Sequence, residues 1–386
     1  MKLTQLFTEF FQSEKAGGIF LIGCTILSLI LTNSGFQSEY ISLWNYEVGH
    51  HTVVHWINDG LMAIFFLLIG LELEREIYIG ELSDIRNSWL PIFAAIGGML
   101  FPAVIHLSFN YGSSSENGAG IPMATDIAFA LGVLSLLGKG VPPALKVFLA
   151  ALAVIDDLGA IIVIALFYTE TIDWMSLGIA VGIFAALLIL NRLKVHNLIP
   201  YLIAGVVMWY FMLNSGIHAT ITGVLLAFAI PFGNGDERSP SYILQRVLHK
   251  PVAFIILPLF ALANTSIPFS AHWYQSLFHF NSYGIFAGLV IGKPLGIVLF
   301  SYLSIWTKVT KLRATLNFSQ VIGAGFLGGI GFTMSIFITL LAFDDIEYIE
   351  QSKIVVMISS LVAGCIGFII LKLSLKETAG KEQNEF

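Results

Sequence analysis

Two adjacent aspartates interrupt an apolar stretch, ALAVIDDLGAIIVIALF, that covers residues 151–167. Asp156 and Asp157 are the twelfth and thirteenth residues of the 24-residue apolar segment 145–168. An aspartate at the centre of a membrane helix costs about 2.5–3.5 kcal/mol to insert. Ionisable residues in such places usually mark ion or proton pathways, so we expect ion transfer rather than a purely structural role. Neighbouring helical residues point about 100° apart, so the two carboxylates face different partners.

A lysine lies at similar depth in another apolar segment. Lys293, in IGKPLG, is the eleventh residue of the segment 283–303, and no other Lys or Arg lies inside an apolar segment away from its ends. A buried ammonium needs a carboxylate partner to keep its charge. The sequence leaves three partners open, which are Asp126, Asp156 and Asp157.

Two further apolar segments show signs of interruption. The segment 121–137 is short and carries Thr125 and Asp126, and the segment 317–342 has five glycines in its middle. Such features in corresponding places indicate helices broken inside the membrane, with a partial positive charge at each half-helix N-terminus and a negative one at each C-terminus. Asp126 is suited to neutralise N-terminal ends, and Lys293 to neutralise C-terminal ends. Bare carbonyls beside Thr125 would suit a small hard cation.

A second group of ionisable residues lies near the predicted cytoplasmic end of the segment 54–71. The stretches GLELEREIYIG and LQRVLHKP contain its members, which are Glu72, Glu74, Arg75, Glu76, Arg246, His249 and Lys250. Spacing alone favours an ordinary solvated helix end. The alternative is an acidic funnel that attracts cations, in which His249 titrates near neutral pH.

The elements that position these residues are predicted to be membrane helices. Of the 386 residues, 56% are hydrophobic and 11% are charged, whereas about 25% are charged in an ordinary soluble domain. The mean hydropathy is +0.84. The net charge of −6 gives no support to nucleic-acid binding. The two cysteines have no disulfide or zinc spacing, and we expect no cofactor.

Twelve apolar segments are long enough to cross a hydrocarbon core about 30 Å thick. They cover 15–32, 54–71, 89–109, 121–137, 145–168, 175–191, 198–213, 217–231, 251–268, 283–303, 317–342 and 353–373. The seventh and eighth are the least distinct, because only three residues separate them. We therefore predict an all-α polytopic membrane protein in contact with membrane lipid, formed by a single transporter domain over 1–386.

The loops carry an uneven distribution of charge. With the N-terminus inside, the cytoplasmic side receives 17 of the 19 lysines and arginines, whereas the outer loops carry mainly acids. Because positively charged loops stay in the cytoplasm, we predict that both termini are cytoplasmic.

The outer segment 36–50, FQSEYISLWNYEVGH, differs from the other loops. Tyr, Ile, Trp and Val alternate with polar residues as in a strand, and Asn45 is suited to a turn. A small exposed hairpin would offer strand edges for pairing with a second subunit. The pattern alone slightly favours the alternative, an ordered surface loop.

Several motifs together resemble the signature segments of bacterial NhaA-type sodium/proton antiporters, in the order of that family and over essentially the whole chain. These motifs are ALAVIDDLGAI, PMATDIAFALG, IGKPLG, GLELEREI, SGIHATITG, LPLFALAN and LGGIGFTMSIF. The resemblance implies twelve helices, with spans 3–5 (about 89–168) and spans 10–12 (about 283–373) as inverted repeats. It also implies that spans 4 and 11 are broken helices crossing at mid-membrane, in a protein of the bacterial inner membrane.

The resemblance also implies a role for each buried charge. Asp157 would be the main ligand of the transported cation, Na⁺ or Li⁺, and the main proton acceptor. Asp156 would pair with Lys293, lie beside the cation and also exchange protons. Thr125 would lie near the cation, and Asp126 would balance helix dipoles.

Regulation and assembly are implied in the same way. Glu72, Arg75, Glu76 and His249 match a cytoplasmic funnel linked to pH regulation, and the segment 36–50 matches a hairpin through which the family forms homodimers. This sequence has Glu74 where the family often has Lys, and Arg246 where some members have a second His. We expect transport itself to survive both differences, and we expect the pH response to be the property that they change.

The expected mechanism is competition between Na⁺ and H⁺ for one carboxylate that faces one side of the membrane at a time. If Asp157 and the Asp156–Lys293 pair each release a proton, the exchange is electrogenic. One alternative is another cation/proton transporter, because nothing in the sequence excludes K⁺. An intramembrane aspartyl protease is disfavoured, since its Gly-x-Gly-Asp motif is absent around Asp126 and Asp156 and a lysine would disturb a shared-proton dyad.

Overall fold

A computed structural model describes residues 5–83, 85–168, 172–269, 273–310 and 316–384. Lys2, Lys311 and Arg313, three of the loop cations that predict the orientation, lie outside these residues. The described chain is almost entirely helical. Its α-helices are Gln5–Thr32 (α1), Gln37–Trp44 (α2), Val53–His55 (α3), Met62–Tyr78 (α4), Ile85–Asn110 (α5), Ile127–Leu136 (α6), Pro143–Phe167 (α7), Trp174–Arg192 (α8), Leu198–Leu213 (α9), Ile221–Ala229 (α10), Pro240–Pro251 (α11), Leu257–Asn264 (α12), Phe280–Ala287 (α13), Lys293–Trp306 (α14), Phe318–Gly328 (α15), Phe332–Ala342 (α16) and Ile346–Asn384 (α17).

Tighter and wider helical turns adjoin several of these helices. The 3₁₀ segments are Glu116–Met123 and three shorter ones, Glu81–Ser83, Gly138–Gly140 and Trp273–Phe278. The π segments are Trp56–Leu61, Val252–Ile256 and Gly288–Gly292, and they lead directly into α4, α12 and α14. Because π turns are rare and often lie at functional sites, a functional role is expected near these three segments.

Eight helical stretches in the described residues are long and apolar enough to cross a membrane. They are Val53–Tyr78, Ser88–Asn110, Glu116–Leu136, Pro143–Ala165, Trp174–Arg192, Pro240–Asn264, Phe280–Trp306 and Ile346–Lys376. If α15 and α16, which are bent by 44° relative to each other, count as one span, the described residues contain up to nine candidate spans. Ala16–Thr32 and Leu198–Leu213 are shorter apolar helices. The chain is therefore a multi-pass helical membrane protein, and the number twelve stays a prediction.

An acid in a loop that is predicted to lie outside, Asp173, defines the beginning of α8. The carboxylate of Asp173 accepts hydrogen bonds from the amides of Met175 and Ser176, each at 3.2 Å, and from the Ser176 hydroxyl. The Ser176 hydroxyl and these amides lower the pKa of Asp173, because they stabilise its charged form. A negative charge here also complements the positive N-terminal end of the helix.

The described chain forms two compact units. The first consists mainly of Phe20–Ser83 and Ile161–Pro268, and the second mainly of Asp84–Ala160 and Phe269–Phe386. The second unit therefore contains nearly all of both stretches that are predicted to be inverted repeats.

Within the second unit, α5 and α14 approach each other at a pair of glycines. A Cβ atom on Gly97 would overlap the carbonyl of Gly296, and a Cβ atom on Gly296 would overlap the carbonyl of Gly97. Small residues allow the backbones of membrane helices to approach closely. The contact is reciprocal, so neither position has room for a side chain.

We expect Gly97→Ala to lower stability by about 1–3 kcal/mol, because the added methyl group would force α5 and α14 apart. The matched control is Gly178→Ala in α8, where nothing lies within 4 Å of the added carbon and alanine favours the helix by about 1 kcal/mol. Thermal unfolding in detergent measures both variants. If Gly97→Ala and Gly178→Ala had equal melting temperatures, the Gly97–Gly296 contact would have room for a methyl group.

The segment 36–50 is partly helical, so the hairpin is shorter and begins later than predicted. Residues Gln37–Trp44 form α2, and only Glu47–Val48 (β1) and His51–Thr52 (β2) are strands. The two strands pair antiparallel, and the turn between them contains Gly49 with a φ of +70°. Asn45 is the C-terminal cap of α2 rather than part of the hairpin turn.

The helical period of the same residues explains the difference. Tyr40 and Trp44 are four residues apart, and their rings pack edge to face with centroids 5.6 Å apart. Trp44 is buried, and the Tyr40 hydroxyl donates to the carbonyl of Leu262 at 2.9 Å. Side chains at i and i+4 share one face of a helix, so this packing stabilises a helix where alternation suggested a strand.

Candidate functional site

Asp156 and Lys293 form an ion pair inside the second unit. The Lys293 Nζ lies 2.9 Å from Oδ2 of Asp156, and both side chains are 0% exposed. Lys293 also donates to the backbone carbonyl of Met123. Of the three partners left open by the sequence, Asp156 is therefore the one in contact. A fully buried charge is tolerated only with such a partner and further hydrogen bonds.

Two helices supply this pair. Asp156 lies in the middle of α7, and Lys293 is the first residue of α14, directly after the π segment Gly288–Gly292. Asp157, also 0% exposed, follows on α7, and its carboxylate acts electrostatically on the Lys293 ammonium. The site thus contains two buried carboxylates and one ammonium.

The chain is interrupted twice beside these charges. The first interruption, at 124–126, separates the 3₁₀ segment Glu116–Met123 from α6, and the second, at 329–331, separates α15 from α16. The two interruptions are joined directly, because the amide of Asp126 donates to the carbonyl of Ile330 at 2.7 Å. Each break exposes backbone groups that need partners inside a membrane.

Asp126 serves the N-terminal ends of the two helices that follow the interruptions, α6 and α16. Its Oδ1 accepts from the amide of Phe129 at 2.9 Å, and its Oδ2 accepts from the amide of Thr333 at 3.0 Å. The Thr333 hydroxyl donates to the same Oδ2 atom. Helix N-termini carry partial positive charge, so these two ends and one hydroxyl balance the buried carboxylate of Asp126.

Lys293 and Thr125 serve the C-terminal ends. Lys293 contacts the carbonyl of Met123, which ends the 3₁₀ segment, and the Thr125 hydroxyl lies 2.9 Å from the carbonyl of Gly328, which ends α15. The same hydroxyl lies 2.7 Å from Oδ2 of Asp156. Because a hydroxyl has one proton, Thr125 donates to one of these two acceptors at a time. Thr125 therefore connects the interruptions to the ion pair.

Sequence reasoning did not single out Thr333 or Met123, and it included Gly328 only as one of the five glycines in the middle of the segment 317–342. Thr333 could have been found, since it lies in the first turn of α16, directly after the glycine-rich interruption at 329–331. A hydroxyl in that position is well placed to bond a neighbouring group. Met123 and Gly328 contribute only backbone carbonyls. Every residue has such a group, so no residue type indicates its use.

The second group of ionisable residues lies in the first unit. Glu72 and Glu74 are buried, at 3% and 4% exposure, so this is not the ordinary solvated helix end that spacing favoured. Oε1 of Glu72 lies 3.8 Å from Nδ1 of His249. The side chain of Gln245, on the same helix as His249, is also buried. A histidine therefore faces a buried acid here.

The other members of this group are closer to the surface. Arg75 pairs with its neighbour Glu76 at 3.0 Å, with side chains 13% and 14% exposed. Arg246 and Lys250 are exposed. The structure thus brings His249 to the acids and leaves these two cations at the surface of the unit.

A multi-pass helical protein that buries an ion pair and a further carboxylate beside two joined chain interruptions belongs to the class of ion-coupled membrane transporters. Comparison with known proteins makes the class specific. Residues 8–371 match the family model described as Na+/H+ antiporter 1. The chain is 62% identical over 384 residues to the Na(+)/H(+) antiporter NhaA of Flavobacterium psychrophilum, with 100% of both chains covered. It is 60% identical over 385 residues to that of Cytophaga hutchinsonii, again with 100% of both covered.

The chain therefore belongs to the NhaA family of Na⁺/H⁺ antiporters. Members of this family are secondary transporters, which excludes the aspartyl protease considered from sequence. Among solved structures, the chain is similar to the sodium proton antiporter MjNhaP1 from Methanocaldococcus jannaschii, with a TM-score of 0.49 and 14% identity over 96% of this chain and 95% of that one. A match this distant adds nothing to the family assignment.

Proposed function

We propose that this antiporter exports Na⁺ in exchange for protons through one buried site, at which Asp157 binds either the cation or a proton. Na⁺/H⁺ exchange follows from the family, so the proposal concerns the residues and the mechanism. The observation that carries it is the Asp156–Lys293 ion pair at 2.9 Å, because it gives one of two adjacent buried carboxylates a counter-charge in direct contact.

The charges of the site support competition. Its four buried groups are three carboxylates and one ammonium, and helix ends balance one of the carboxylates, so the group as a whole is negative when all four are ionised. Uncompensated charge is strongly unfavourable inside a membrane. A proton or a Na⁺ ion would each neutralise it, whereas both together would leave a positive excess. Alternating access to the Asp157 carboxylate then exchanges outside protons for inside sodium.

We further propose that the Asp156–Lys293 pair releases a second proton, which makes the exchange electrogenic. A cation bound beside Asp156 would compete with the ammonium for its carboxylate and so favour loss of the lysine proton. Each net charge moved is worth about 2.3 kcal/mol per 100 mV. Carbonyls and the Thr125 hydroxyl are oxygen ligands that suit small hard cations, so Li⁺ is proposed to share the site.

Ion specificity and charge movement test this proposal in proteoliposomes. Na⁺ and Li⁺ are expected to release protons over roughly pH 6–9, and K⁺ is expected to release few, because larger cations fit oxygen ligands at short distance poorly. A potential-sensitive dye should report net charge movement with Na⁺. Equal release by K⁺ would reject the specificity, and electroneutral exchange would reject the second proton.

We also propose the family architecture for this chain, with twelve spans, inverted repeats over about 89–168 and 283–373, and two crossing broken helices. The reciprocal Gly97–Gly296 contact and the Asp126–Ile330 hydrogen bond support it, since each joins one stretch to the other within one unit. The loop charges favour cytoplasmic termini and an inner-membrane location.

Control by pH is proposed to reside in Glu72 and His249, with Arg75 and Glu76 beside them. The support is the 3.8 Å approach of an imidazole to a buried carboxylate, because histidine changes its charge near neutral pH. Glu74 adds a buried acid where the family often has a lysine. We therefore propose that the pH response of this chain differs from that of relatives with lysine there.

A homodimer is proposed to form through the hairpin of β1 and β2, whose strand edges can pair with a second copy. Val48 in β1 is 50% exposed. Val48→Pro is expected to reduce the dimer fraction, because Val48 pairs with His51 and proline removes the amide of that pair, which disrupts the hairpin and its edges. Val48→Thr, which keeps the amide and the branched shape, is the control. Light scattering in detergent measures the oligomer, and a dimer retained by the proline variant would place the interface elsewhere.

A further inference from the structure

The π segment Gly288–Gly292 leads directly into Lys293 and Pro294, the first two residues of α14. The amide of Lys293 donates to the carbonyl of Gly288, the fifth residue before it. A regular α-helix would direct this amide to Leu289, the fourth residue before it. Proline has no amide, and its ring collides with the carbonyl four residues earlier, so Pro294 favours a wider turn at this place.

The first unit contains the same combination of a π turn and a proline. The π segment Val252–Ile256 is followed by Leu257 and Pro258, and the amide of Leu257 donates to the carbonyl of Val252. In both cases the proline lies two residues after the end of the wide turn. Only the turn before Lys293 adjoins the buried ion pair with Asp156.

The wide turn leaves the backbone carbonyl of Leu289 without a donor at the two usual spacings of its own helix. The amide four residues later is that of Lys293, which donates elsewhere, and the residue five positions later is Pro294. Leu289 is fully buried, at 0% exposure. A Cβ atom on Gly329 would overlap the Leu289 oxygen, so this carbonyl points at the second chain interruption. The Cα–H group of a glycine is a weak donor, so it offsets only part of the missing hydrogen bond.

We propose that Pro294 and the Leu289 carbonyl position Lys293, by giving its amide two alternative acceptors and its ammonium two alternative places. The first arrangement is the wide turn, in which Lys293 lies 2.9 Å from Asp156. In the second, the amide donates to Leu289 and the turn is α-helical. Lys293 then moves by up to one residue position relative to α13, about 100° around the axis and about 1.5 Å along it. A rotation of this size withdraws the ammonium from Asp156.

The two arrangements are close in backbone hydrogen bonding. The amide of Lys293 makes one bond in each, and because Pro294 has no amide, each leaves one carbonyl of the turn without a donor in the helix. Glycine lies at both ends of the segment, where its backbone tolerates the change of angles. A change of charge nearby is therefore sufficient to shift the balance.

This positioning role rests on the proposed function, because the cation is what shifts the balance. A cation bound beside Asp156 repels the ammonium of Lys293 and favours the α-helical arrangement. Closing the turn directs the Leu289 carbonyl to the Lys293 amide and away from Gly329, so the second chain interruption loses a contact as the cation enters. Return to the wide turn restores the ion pair after the cation leaves.

The test is Pro294→Ala, measured as Na⁺-driven proton release in proteoliposomes. Alanine restores an amide, so the helix bonds across the segment can all form and the α-helical arrangement predominates. The apparent KM for Na⁺ is expected to fall about threefold or more, because the ammonium no longer occupies Asp156, and the maximal rate to fall about tenfold, because the wide turn is disfavoured. A lower rate with a raised or unchanged KM would indicate a merely structural defect and overturn the role.

The matched control is Pro258→Ala, which restores an amide at the same position after the π segment Val252–Ile256. This substitution should leave both the KM for Na⁺ and the maximal rate at their wild-type values. If Pro258→Ala lowered both constants as Pro294→Ala is expected to, loss of a helix proline in general would explain the kinetics. The position of Lys293 would then have no special role, and the proposal would be overturned.

Hydrogen exchange of the protein in detergent follows the turn without transport. Wild-type amides in Gly288–Gly292 should exchange about fivefold more slowly in Na⁺ than in choline at equal ionic strength, and Pro294→Ala should exchange slowly in both. The slowing by Pro294→Ala should persist in protein carrying Asp157→Asn. Exchange that Pro294→Ala leaves unchanged would overturn the inference. Slow exchange in Pro294→Ala without any Na⁺ effect on the wild type would support the two arrangements and place the failure in the proposed cation site.

Discussion

Asp157→Asn is expected to abolish Na⁺-dependent proton release. Substitution of groups that only orient a metal ligand typically reduces activity by about 10–100-fold, so loss of the ligand itself should reduce exchange by about 100-fold or more. The physical reason is that the proposed mechanism has this buried carboxylate bind the proton or Na⁺, whereas an amide has no negative charge to bind either. Acidification of the medium after a Na⁺ pulse on proteoliposomes is the measurement.

Two observations separate lost binding from lost folding in this variant. The amide removes a buried charge, so the melting temperature of Asp157→Asn should not fall below that of the wild type. Na⁺ should stabilise the wild type against heat but leave the variant unchanged. Asp344→Asn, at an exposed acid between α16 and α17, should keep full activity. Full activity in Asp157→Asn would remove this residue from the site.

Lys293→Met is expected to be the most destabilising substitution at the site. It leaves Asp156 and Asp157 buried without a counter-charge, and breaking a buried ion pair from one side typically costs about 3–5 kcal/mol. Adding Asp156→Asn should recover most of that loss, because replacing both partners of a buried pair is often nearly neutral. The measurement is a double-mutant cycle. It compares the melting temperatures in detergent of the wild type, Lys293→Met, Asp156→Asn and the double variant.

The double variant also separates stability from transport. If the pair supplies the second proton, the folded double variant should exchange without net charge movement or fail to exchange. Lys372→Met, at an exposed lysine of α17, should change stability by no more than about 0.5 kcal/mol. A double variant as unstable as Lys293→Met would instead assign the stabilisation to the contact between the lysine and the Met123 carbonyl.

The local pattern of the sequence was sufficient for the class of protein and for the chemistry of the site. Hydropathy depends on each segment by itself, so long apolar helices were predictable without knowledge of their neighbours. Charges at the centre of such segments are too costly to be incidental, which singled out Asp156, Asp157 and Lys293. The hairpin shows the limit of this reasoning, because Tyr40 and Trp44 fit a strand by alternation and a helix by their i, i+4 spacing.

What the sequence by itself determined is therefore the membrane class, the family and the set of ionisable residues inside its apolar segments. Only the tertiary structure decided which carboxylate contacts Lys293, that Thr333 completes the donors to Asp126, and that Glu72 is buried against His249. The physical reason is that each of these contacts joins helices far apart in the chain. Composition sets the cost of burying a charge, but the packing of distant helices decides which group lies within reach to offset it.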